Sequence, residues 1–394
     1  MFKFIHCADL HLDSPFKSRS KMIPGIFDVL TESTYISVKR MIDYAIQEKV
    51  DFLVIAGDMF DAANRTLKSE VFMKRQFERL KEAGIFVYII HGNHDPLTDG
   101  FKAEWPDNVT VFGENVETYE MVSSHGERIF LHGFSYFMDD TYENRLEEYP
   151  VNTMNEGIHI GLLHGTYSQS QSTQKRYTEF NLRMLNEKLY HYWALGHIHQ
   201  REELSDLPPV HYSGNIQGRH KNEYGEKGFL VVEGDDVYLT TRFIPVQEII
   251  FAEYELEVAN LSKQSLYQAI AEFKNRLRDK GKHIIQLTTV YDGDEELTGA
   301  DLTEVIELLK EDERDIKEFV WIDDLKVRYL QQDNIALIND IKASHSSDEE
   351  LFKEAVNALY MDPRLNRYLD PVQDIIPEAL LEEGEERLRM LMRK

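Results

Sequence analysis

Seven side chains that can bind a metal ion lie in five short segments of the first 200 residues. The segments are Asp9-Leu10-His11, Gly57-Asp58, Gly92-Asn93-His94-Asp95, Leu163-His164-Gly165 and Gly196-His197-Ile198-His199. The candidate ligands are Asp9, His11, Asp58, Asn93, His164, His197 and His199. Carboxylates, imidazoles and an amide oxygen suit hard or borderline divalent ions such as Mn²⁺, and the chain lacks the several thiolates that would favour structural zinc. The pattern predicts a two-metal site that hydrolyses a phosphate ester.

The chemistry of such a site assigns a role to several of these residues. Two ions about 3.5–4 Å apart need a bridging group, and the carboxylate of Asp58 is the natural candidate. Asn93 would bind through its carbonyl oxygen. The leaving alkoxide needs a proton, which His94 can supply with help from Asp95.

The ligand segments each close a run of apolar residues. The runs 2–7, 52–56, 85–90, 158–163 and 192–195 predict short buried strands. Helical apolar stripes at 38–46 and 72–83 separate the first three, so strand and helix alternate. The carboxyl ends of strands in an open α/β sheet line one crevice, so the ligands can converge there. Residues two apart on a strand point to the same side, which lets Asp9 with His11, and His197 with His199, face one site.

The segments resemble, in order and spacing, the metal motifs of the calcineurin-like metallophosphoesterase family. The likeness covers about residues 1–245 and includes 212–219. It is greatest to the DNA-repair nuclease branch, the SbcD-like proteins, and within it to the YhaO-type exonucleases. The resemblance implies an α/β sandwich of two mixed β-sheets flanked by helices, with His94 as the catalytic histidine. It implies one ion on Asp9, His11, Asp58 and His199, and a second ion on Asp58, Asn93, His164 and His197.

Other branches of the family remain alternatives. Phosphoprotein phosphatases carry Asp-Arg-Gly after the second segment, whereas this chain has Gly57-Asp58-Met59-Phe60-Asp61. Small-nucleotide phosphodiesterases share more of the pattern, but they typically lack a long C-terminal extension like the one here. The length of the chain therefore favours the nuclease branch. Some relatives in that branch have histidine where this chain has Asp61, so the role of Asp61 stays open.

The predicted domains are a catalytic domain at 1–246, a smaller α+β cap at 247–343 and a helical tail at 344–394. In the cap, the pattern predicts strands at 251–258 and 283–291 and helices at 265–277 and 302–310. The tail carries Leu380, Leu381, Leu388 and Leu391 at helical spacing. The resemblance implies that such a tail docks an SMC-like, ABC-type coiled-coil ATPase, although covering its own core is the alternative. The resemblance also implies a homodimer.

Composition and sequence pattern indicate the cellular location of the protein. With 42% apolar residues the chain can form a sizeable core, and no run approaches the roughly 20 residues that cross a bilayer. The chain enters a strand at once, without the basic and apolar regions of a signal peptide. Its only cysteine, Cys7, cannot form an internal disulfide. We therefore expect a cytoplasmic protein with no membrane association.

The net charge of −26 argues against a broad electrostatic grip on DNA. Local basic groups are candidates for contact with a phosphate backbone. They are Lys17, Arg19 and Lys21, then Lys175 and Arg176, and finally Arg219 and His220 with Lys221, of which Arg219 and His220 are the candidate substrate-binding residues. Three functions follow. The first is a manganese-dependent DNA exonuclease or endonuclease that works with an ATPase partner in double-strand-break repair. The second is a phosphodiesterase or phosphatase for small nucleotides, and the third is a metal-binding scaffold.

Overall fold

The computed structural model describes residues 1–16, 22–61, 65–97, 104–137, 145–153, 156–170, 177–293 and 296–330. The two basic clusters at 17–21 and 175–176 and the helical tail predicted at 344–394 lie outside these ranges. Within them, every helix is too short or too polar to cross a membrane.

Fifteen strands and five α-helices make up the described part of the chain. The strands are β1 (Phe2–Cys7), β2 (Phe52–Ala56), β3 (Phe86–Ile90), β4 (Val109–Val111), β5 (Glu117–Val122), β6 (Arg128–Gly133), β7 (Ile158–His164), β8 (Tyr192–Gly196), β9 (Glu202–Asp206), β10 (Pro209–Tyr212), β11 (Gly228–Gly234), β12 (Leu239–Pro245), β13 (Ile249–Val258), β14 (Lys282–Tyr291) and β15 (Val320–Tyr329). The helices are α1 (Pro24–Glu48), α2 (Leu67–Glu82), α3 (Leu182–Asn186), α4 (Lys263–Arg278) and α5 (Gly299–Glu311).

Two six-stranded mixed sheets form the larger part of the molecule. The first has the order β12-β11-β1-β2-β3-β4, and the second β5-β6-β7-β8-β10-β9. In each sheet the central strands are parallel. Antiparallel pairing joins β11 to β1 and to β12 at one side of the first sheet, and it joins β5 and β9 to their neighbours at the two edges of the second. The five predicted strands are β1, β2, β3, β7 and β8. The expected sandwich of two mixed sheets is confirmed.

Helices α1 and α2 cover the outer face of the first sheet. Both predicted apolar stripes are helical, but each helix begins well before its stripe, at Pro24 and Leu67. Pro24 fits the first turn because that turn needs no backbone N–H from it. Thr66 caps α2 by accepting from the Ser69 N–H in a capping box. These start signals are local, whereas the stripe appears only where the helix packs on the sheet.

The core between the sheets is built from large aromatic side chains of both layers. The ring of Phe4 on β1 stacks on Phe52 of β2 at 4.7 Å and meets the edge of Tyr192 on β8 at 5.4 Å. All three are fully buried. Because these residues sit just before the ligand segments, this packing fixes the distance between the two sheets at the site.

The third sheet is formed by β13, β14 and β15, which are all parallel, with α4 and α5 connecting them. The predicted strands and helices of this region are β13, α4, β14 and α5. No element was predicted at 320–329, where β15 lies. The pairing of β15 with β14 shifts register so that Asp323 is an extra residue, and this bulge interrupts the two-residue alternation that would reveal the strand. The domain limit at 246 falls between β12 and β13 and stays a prediction.

Packing also joins the third sheet to helix α1, which covers the first sheet. Ile26 and Leu30 of α1 share one apolar cluster with Phe251 of β13, Ile284 of β14 and Trp321 of β15. All five side chains are buried. The third sheet is therefore held against the end of the helix that covers the first sheet.

Replacement of Phe4 by alanine should destabilise the sandwich. We expect the free energy of unfolding to fall by about 3–5 kcal/mol, because a buried ring with two aromatic neighbours leaves a cavity. Urea unfolding followed by circular dichroism measures it. Phe86→Ala is the control, since Phe86 is 46% exposed and should lose much less. Equal losses for both variants would contradict the assignment of Phe4 to the core.

Candidate metal centre

The candidate ligands come together where strands of both sheets end. Segments after β1, β2 and β3 approach from the first sheet, and those at the ends of β7 and β8 approach from the second. Backbone hydrogen bonds join the loops: the Asp9 N–H donates to the Gly57 carbonyl at 3.1 Å, and the His11 N–H to the Asp58 carbonyl at 3.0 Å. The loops after β1 and β2 thus form one continuous layer of backbone beneath the site.

The backbone of the ligand loops is strained rather than extended. Asp9, His11, Asp58 and His197 have φ of 52°, 44°, 51° and 99°. Left-handed φ is uncommon for residues other than glycine and costs of order 1–3 kcal/mol each. The expectation that Asp9 and His11 continue a strand is therefore wrong in geometry, because the chain turns at each ligand. The strain persists where the surrounding structure enforces it, which is typical of functional sites.

Asp9, His11 and His199 form the first group that could hold a metal ion. Their ligand atoms all lie within 4.8 Å of one another, and the two Nε2 atoms of the histidines are 3.1 Å apart. Two imidazole nitrogens directed at each other in a buried site suit a shared cation.

Asp9, Asp58 and His164 form the second such group. The Asn93 Oδ1 extends this group, because it lies 3.1 Å from His164 Nε2 and 3.2 Å from His197 Nδ1. All seven predicted ligands are thus brought together. Two arrangements were not anticipated: Asp9 belongs to both groups, and the backbone N–H of His197 donates to the Asp9 carboxylate.

The Asp58 carboxylate, a member of the second group, also approaches His11 of the first group, as a bridging ligand must. Its Oδ2 is 3.3 Å from His164 Nε2 and 3.7 Å from His11 Nε2. This oxygen is buried and has no hydrogen-bond partner among the described residues, and the same is true of His11 Nδ1. A buried carboxylate oxygen without a donor is costly, and a bound cation would satisfy it.

Hydrogen bonds fix the orientation of two ligand histidines. His164 donates from Nδ1 to the Ala56 carbonyl at 2.8 Å, and His199 Nδ1 lies 2.7 Å from Glu223 Oε1. Carbonyl and carboxylate oxygens only accept, so each Nδ1 carries the proton and each Nε2 is left free as a ligand. Such outer partners tune metal-binding histidines generally.

Two glycines of the ligand segments are required by close packing. A Cβ at Gly57 or at Gly92 would overlap the His164 ring, and at Gly92 also the Asp58 carboxylate. Gly57 in addition has φ of 96°. The glycine that precedes Asp58 and the one that precedes Asn93 therefore belong to the site as much as the ligands do.

His94 and Asp95 occupy different positions. His94 is exposed, its N–H donates to Asp58 Oδ1 at 2.8 Å, and its ring meets His11 edge-on at 5.0 Å. Asp95 is buried, and its carboxylate accepts from the Met59 and Gly92 N–H groups, both at 2.9 Å. Asp95 thus ties the second and third ligand loops together, and its predicted help to His94 in proton transfer stays a prediction.

The candidate substrate-binding residues lie at the rim. Arg219 donates from Nη1 to Ser14 Oγ at 2.9 Å, and its Nη2 lies 3.2 Å from His199 Nδ1. His220 is half exposed beside Glu223. Ser14 also donates to Asp61 at 3.4 Å, which places Asp61 at the same rim.

Glu223 is the functional candidate that sequence reasoning missed. It is buried, yet it follows Arg219 by only four residues in a polar loop of a strongly acidic chain. No periodicity separates it from the many exposed acids. Only its contact with His199 identifies it, and that contact joins residues 24 positions apart in the sequence.

Comparisons with known proteins agree with this geometry. Residues 2–201 match the family described as calcineurin-like phosphoesterase. The chain is 39% identical to the uncharacterized metallophosphoesterase YhaO of Bacillus subtilis (strain 168), over 88% of each chain. It is 26% identical to the DNA double-strand break repair protein Mre11 of Methanocaldococcus jannaschii, over 72% of this chain and 75% of that one.

Similarity to a solved structure is weaker. A dimetal phosphatase from Danio rerio matches 61% of this chain and 98% of its own, with 10% identity and a TM-score of 0.38. Such a low score carries no argument. The resemblance to the family and its nuclease branch is confirmed by the matches above.

The buried charges of the metal centre perturb one another. Burial raises the pKa of Asp9 to about 7; His164 opposes the shift and Asp58 adds to it. Burial disfavours protonated His164, but the Asp58 and Asp9 carboxylates outweigh it and raise its pKa to about 9. Burial, with Arg219 next, lowers the pKa of His199 to about 4. The protein without metal therefore retains protons that a metal ion must displace.

Metal binding should strengthen as the pH rises. His164 holds its proton below about pH 9 and Asp9 below about pH 7, and both groups bind a cation only without it. We expect the affinity for Mn²⁺ to rise between pH 6 and 9 by up to about tenfold per pH unit for each proton released. Calorimetry in buffers of different ionisation enthalpy counts those protons. An affinity independent of pH would contradict the proton-bearing state of the centre.

Proposed function

The chain belongs to the calcineurin-like phosphoesterase family, and from that premise we propose that it is a two-metal-dependent DNA nuclease. We propose exonuclease activity, with endonuclease activity as a possible addition, in the repair of double-strand breaks. The observation that carries phosphodiester hydrolysis is the convergence of the seven candidate ligands in two linked groups, with Nε2 of His164 at 3.3 Å and Nε2 of His11 at 3.7 Å from Asp58 Oδ2. The similarity to Mre11 proteins supports DNA as the substrate, since one of them, from Sulfolobus acidocaldarius, aligns over 100% of this chain at 19% identity.

The residues of the chain divide the work of hydrolysis. A pair of divalent ions, when bound, activates a water and neutralises the charge on the phosphoryl oxygens. Asp58, which contacts both His164 and His11, would be the ligand shared by the two ions. Asn93 and His197 close the second group, and the hydrogen bonds to Ala56 and Glu223 hold the imidazoles in the required tautomer.

His94 is the residue placed to meet the substrate. Its neighbours among the ligands are buried or nearly so, whereas its side chain is exposed at the mouth of the site. The hydrogen bond from its backbone to Asp58 fixes its position relative to the metal centre. A proton donor at this place can protonate the leaving oxygen as the phosphodiester bond breaks.

We assign Arg219, a cation at the rim of the metal centre, to substrate binding. Its guanidinium lies beside His199, and its side chain is 14% exposed, so part of it can reach a phosphate oxygen. His220, half exposed next to it, extends the same rim.

A phosphodiesterase or phosphatase for small nucleotides is the second candidate. The observation in its favour is the net charge of −26, because binding of duplex DNA normally relies on a basic surface. A small nucleotide needs only the ions and one or two cations such as Arg219. The two functions predict opposite substrate preferences.

Several further properties belong to the same proposal. We propose Mn²⁺ as the ion, a homodimer as the assembly, and the cytoplasm as the location. An SMC-like, ABC-type coiled-coil ATPase is the proposed partner, docked by the segment 344–394. A basic partner would compensate for the acidic surface and bring DNA to the site.

Cleavage of DNA should depend on the bridging carboxylate. We expect the purified chain with Mn²⁺ to degrade end-labelled linear duplex DNA, and Asp58→Asn to reduce the rate at least about 100-fold because the two ions lose their shared ligand. Bis-p-nitrophenyl phosphate and a panel of cyclic and linear nucleotides are tested in parallel.

The substrates separate the candidate functions. DNA degradation that is lost in Asp58→Asn supports the nuclease. Turnover of nucleotides at rates far above those on DNA supports the second candidate and contradicts the first. No turnover of any substrate by a protein with both ions bound would contradict both.

Replacement of His94 by serine should separate catalysis from metal binding. We expect turnover to fall by about 10²–10⁴-fold, because the leaving oxygen loses its proton donor, while the metal content stays at two ions. Metal analysis and steady-state rates on the same preparation measure both. His125→Ser, at an exposed histidine next to Ser124, is the matched control and should change neither. Loss of an ion in His94→Ser would make His94 a structural residue.

A further inference from the structure

We propose that Glu223 is a positioning residue that holds both a metal ligand and the substrate-facing arginine in place. The proposal rests on the metal centre of the proposed function and adds to it a residue outside the ligand set. Glu223 lies in the loop between β10 and β11, and its side chain is only 4% exposed.

The carboxylate of Glu223 is surrounded by donors. Its Oε1 lies 2.7 Å from His199 Nδ1 and 3.2 Å from Arg219 Nη2. Its Oε2 accepts from the Arg219 backbone N–H at 2.6 Å and from Asn215 Nδ2 at 3.0 Å. His220 Nε2 lies 3.3 Å from the same Oε1. A buried carboxylate is stable only with such a set of partners, and these contacts satisfy its acceptor capacity.

The contact with His199 determines how that residue can bind an ion. With Nδ1 held by the carboxylate, Nε2 is the free nitrogen, and it is the atom directed at His11 and the first ligand group. Without an acceptor at Glu223, the ring could flip or adopt the other tautomer. The first ligand group would then lose one of its three members for part of the time.

The contact with Arg219 limits where the guanidinium can go. Arg219 is held by Glu223 at its backbone and at one terminal nitrogen, and by Ser14 at the other. Its Nε is buried without a hydrogen-bond partner among the described residues. The same carboxylate therefore sets the distance between the cation that meets substrate and the histidine that meets the metal.

Hydrogen bonds join the loop that carries Glu223 to the His199 segment and to the third sheet. Lys227 donates to the His199 carbonyl at 3.0 Å. Toward the third sheet, Tyr224 donates to Gln286 of β14 at 2.8 Å, and the Gly225 N–H donates to the Phe251 carbonyl of β13 at 2.9 Å. The third sheet thus supports the segment that positions His199.

Glu223→Gln tests this role because it keeps the size of the side chain and removes its charge. A glutamine has only one acceptor oxygen and turns a donor toward groups that donate. We expect two Mn²⁺ sites in the wild-type full-length chain, and in the variant a fall of about 10–100-fold in the affinity of one site with the other unchanged. Calorimetric titration of the metal-free protein measures both sites.

Two control variants separate positioning from stability. Glu226→Gln changes an exposed acid of the same loop and should leave both affinities as in the wild type. Glu313→Gln removes a buried carboxylate from the distant ion pairs with Lys274 and Arg278. It should lower the unfolding temperature without changing either affinity.

The outcomes are distinct. Selective weakening of one site in Glu223→Gln alone supports the positioning role. Unchanged affinities, or an equal fall at both sites, overturn it. A wild-type chain that binds fewer than two ions contradicts the metal centre itself, whereas two wild-type sites with an unaffected variant contradict only the role of Glu223.

Discussion

Burial of two carboxylates at one edge of an apolar sandwich is the constraint on which the site depends. Asp9 and Asp58 are both about 1% exposed and lie in the same ligand group. Like charges without water repel each other strongly, so the structure must supply positive charge or protons close by. His164 does so in the absence of metal, which explains the elevated pKa of that residue. Two divalent ions would replace those protons, and the unsatisfied Oδ2 of Asp58 marks the place.

The rest of the fold holds the ligand loops in place, although their buried carboxylates and strained backbone cost free energy. Left-handed backbone at four ligands and glycines without room for a Cβ are tolerated because parallel strands of two sheets fix the point where each ligand loop begins. Asp95 adds hydrogen bonds between two of those loops. The aromatic packing of Phe4, Phe52 and Tyr192 then keeps the two halves of the ligand set at a constant separation.

The third sheet extends this support beyond the sandwich. Its cluster with Ile26 and Leu30, and its hydrogen bonds to the loop of Glu223, connect it to the first sheet and to the metal centre. The same loop fixes Arg219 at the rim of the metal centre.

Local patterns by themselves determined the ligand types, their place after strands, and most of the helices and strands. Alternation and helical stripes report burial within a short window, so β1, β2, β3, β7, β8, α4 and β14 could be predicted from them. Tertiary structure decided what depends on distant neighbours. The bulge at Asp323 concealed β15, the N–H groups around Asp95 let it tie two ligand loops together, and Glu223 became a partner of His199 only by folding. A side chain's type is written in the sequence, but the donors and charges that it meets are set by chain segments far away, and these decide its role.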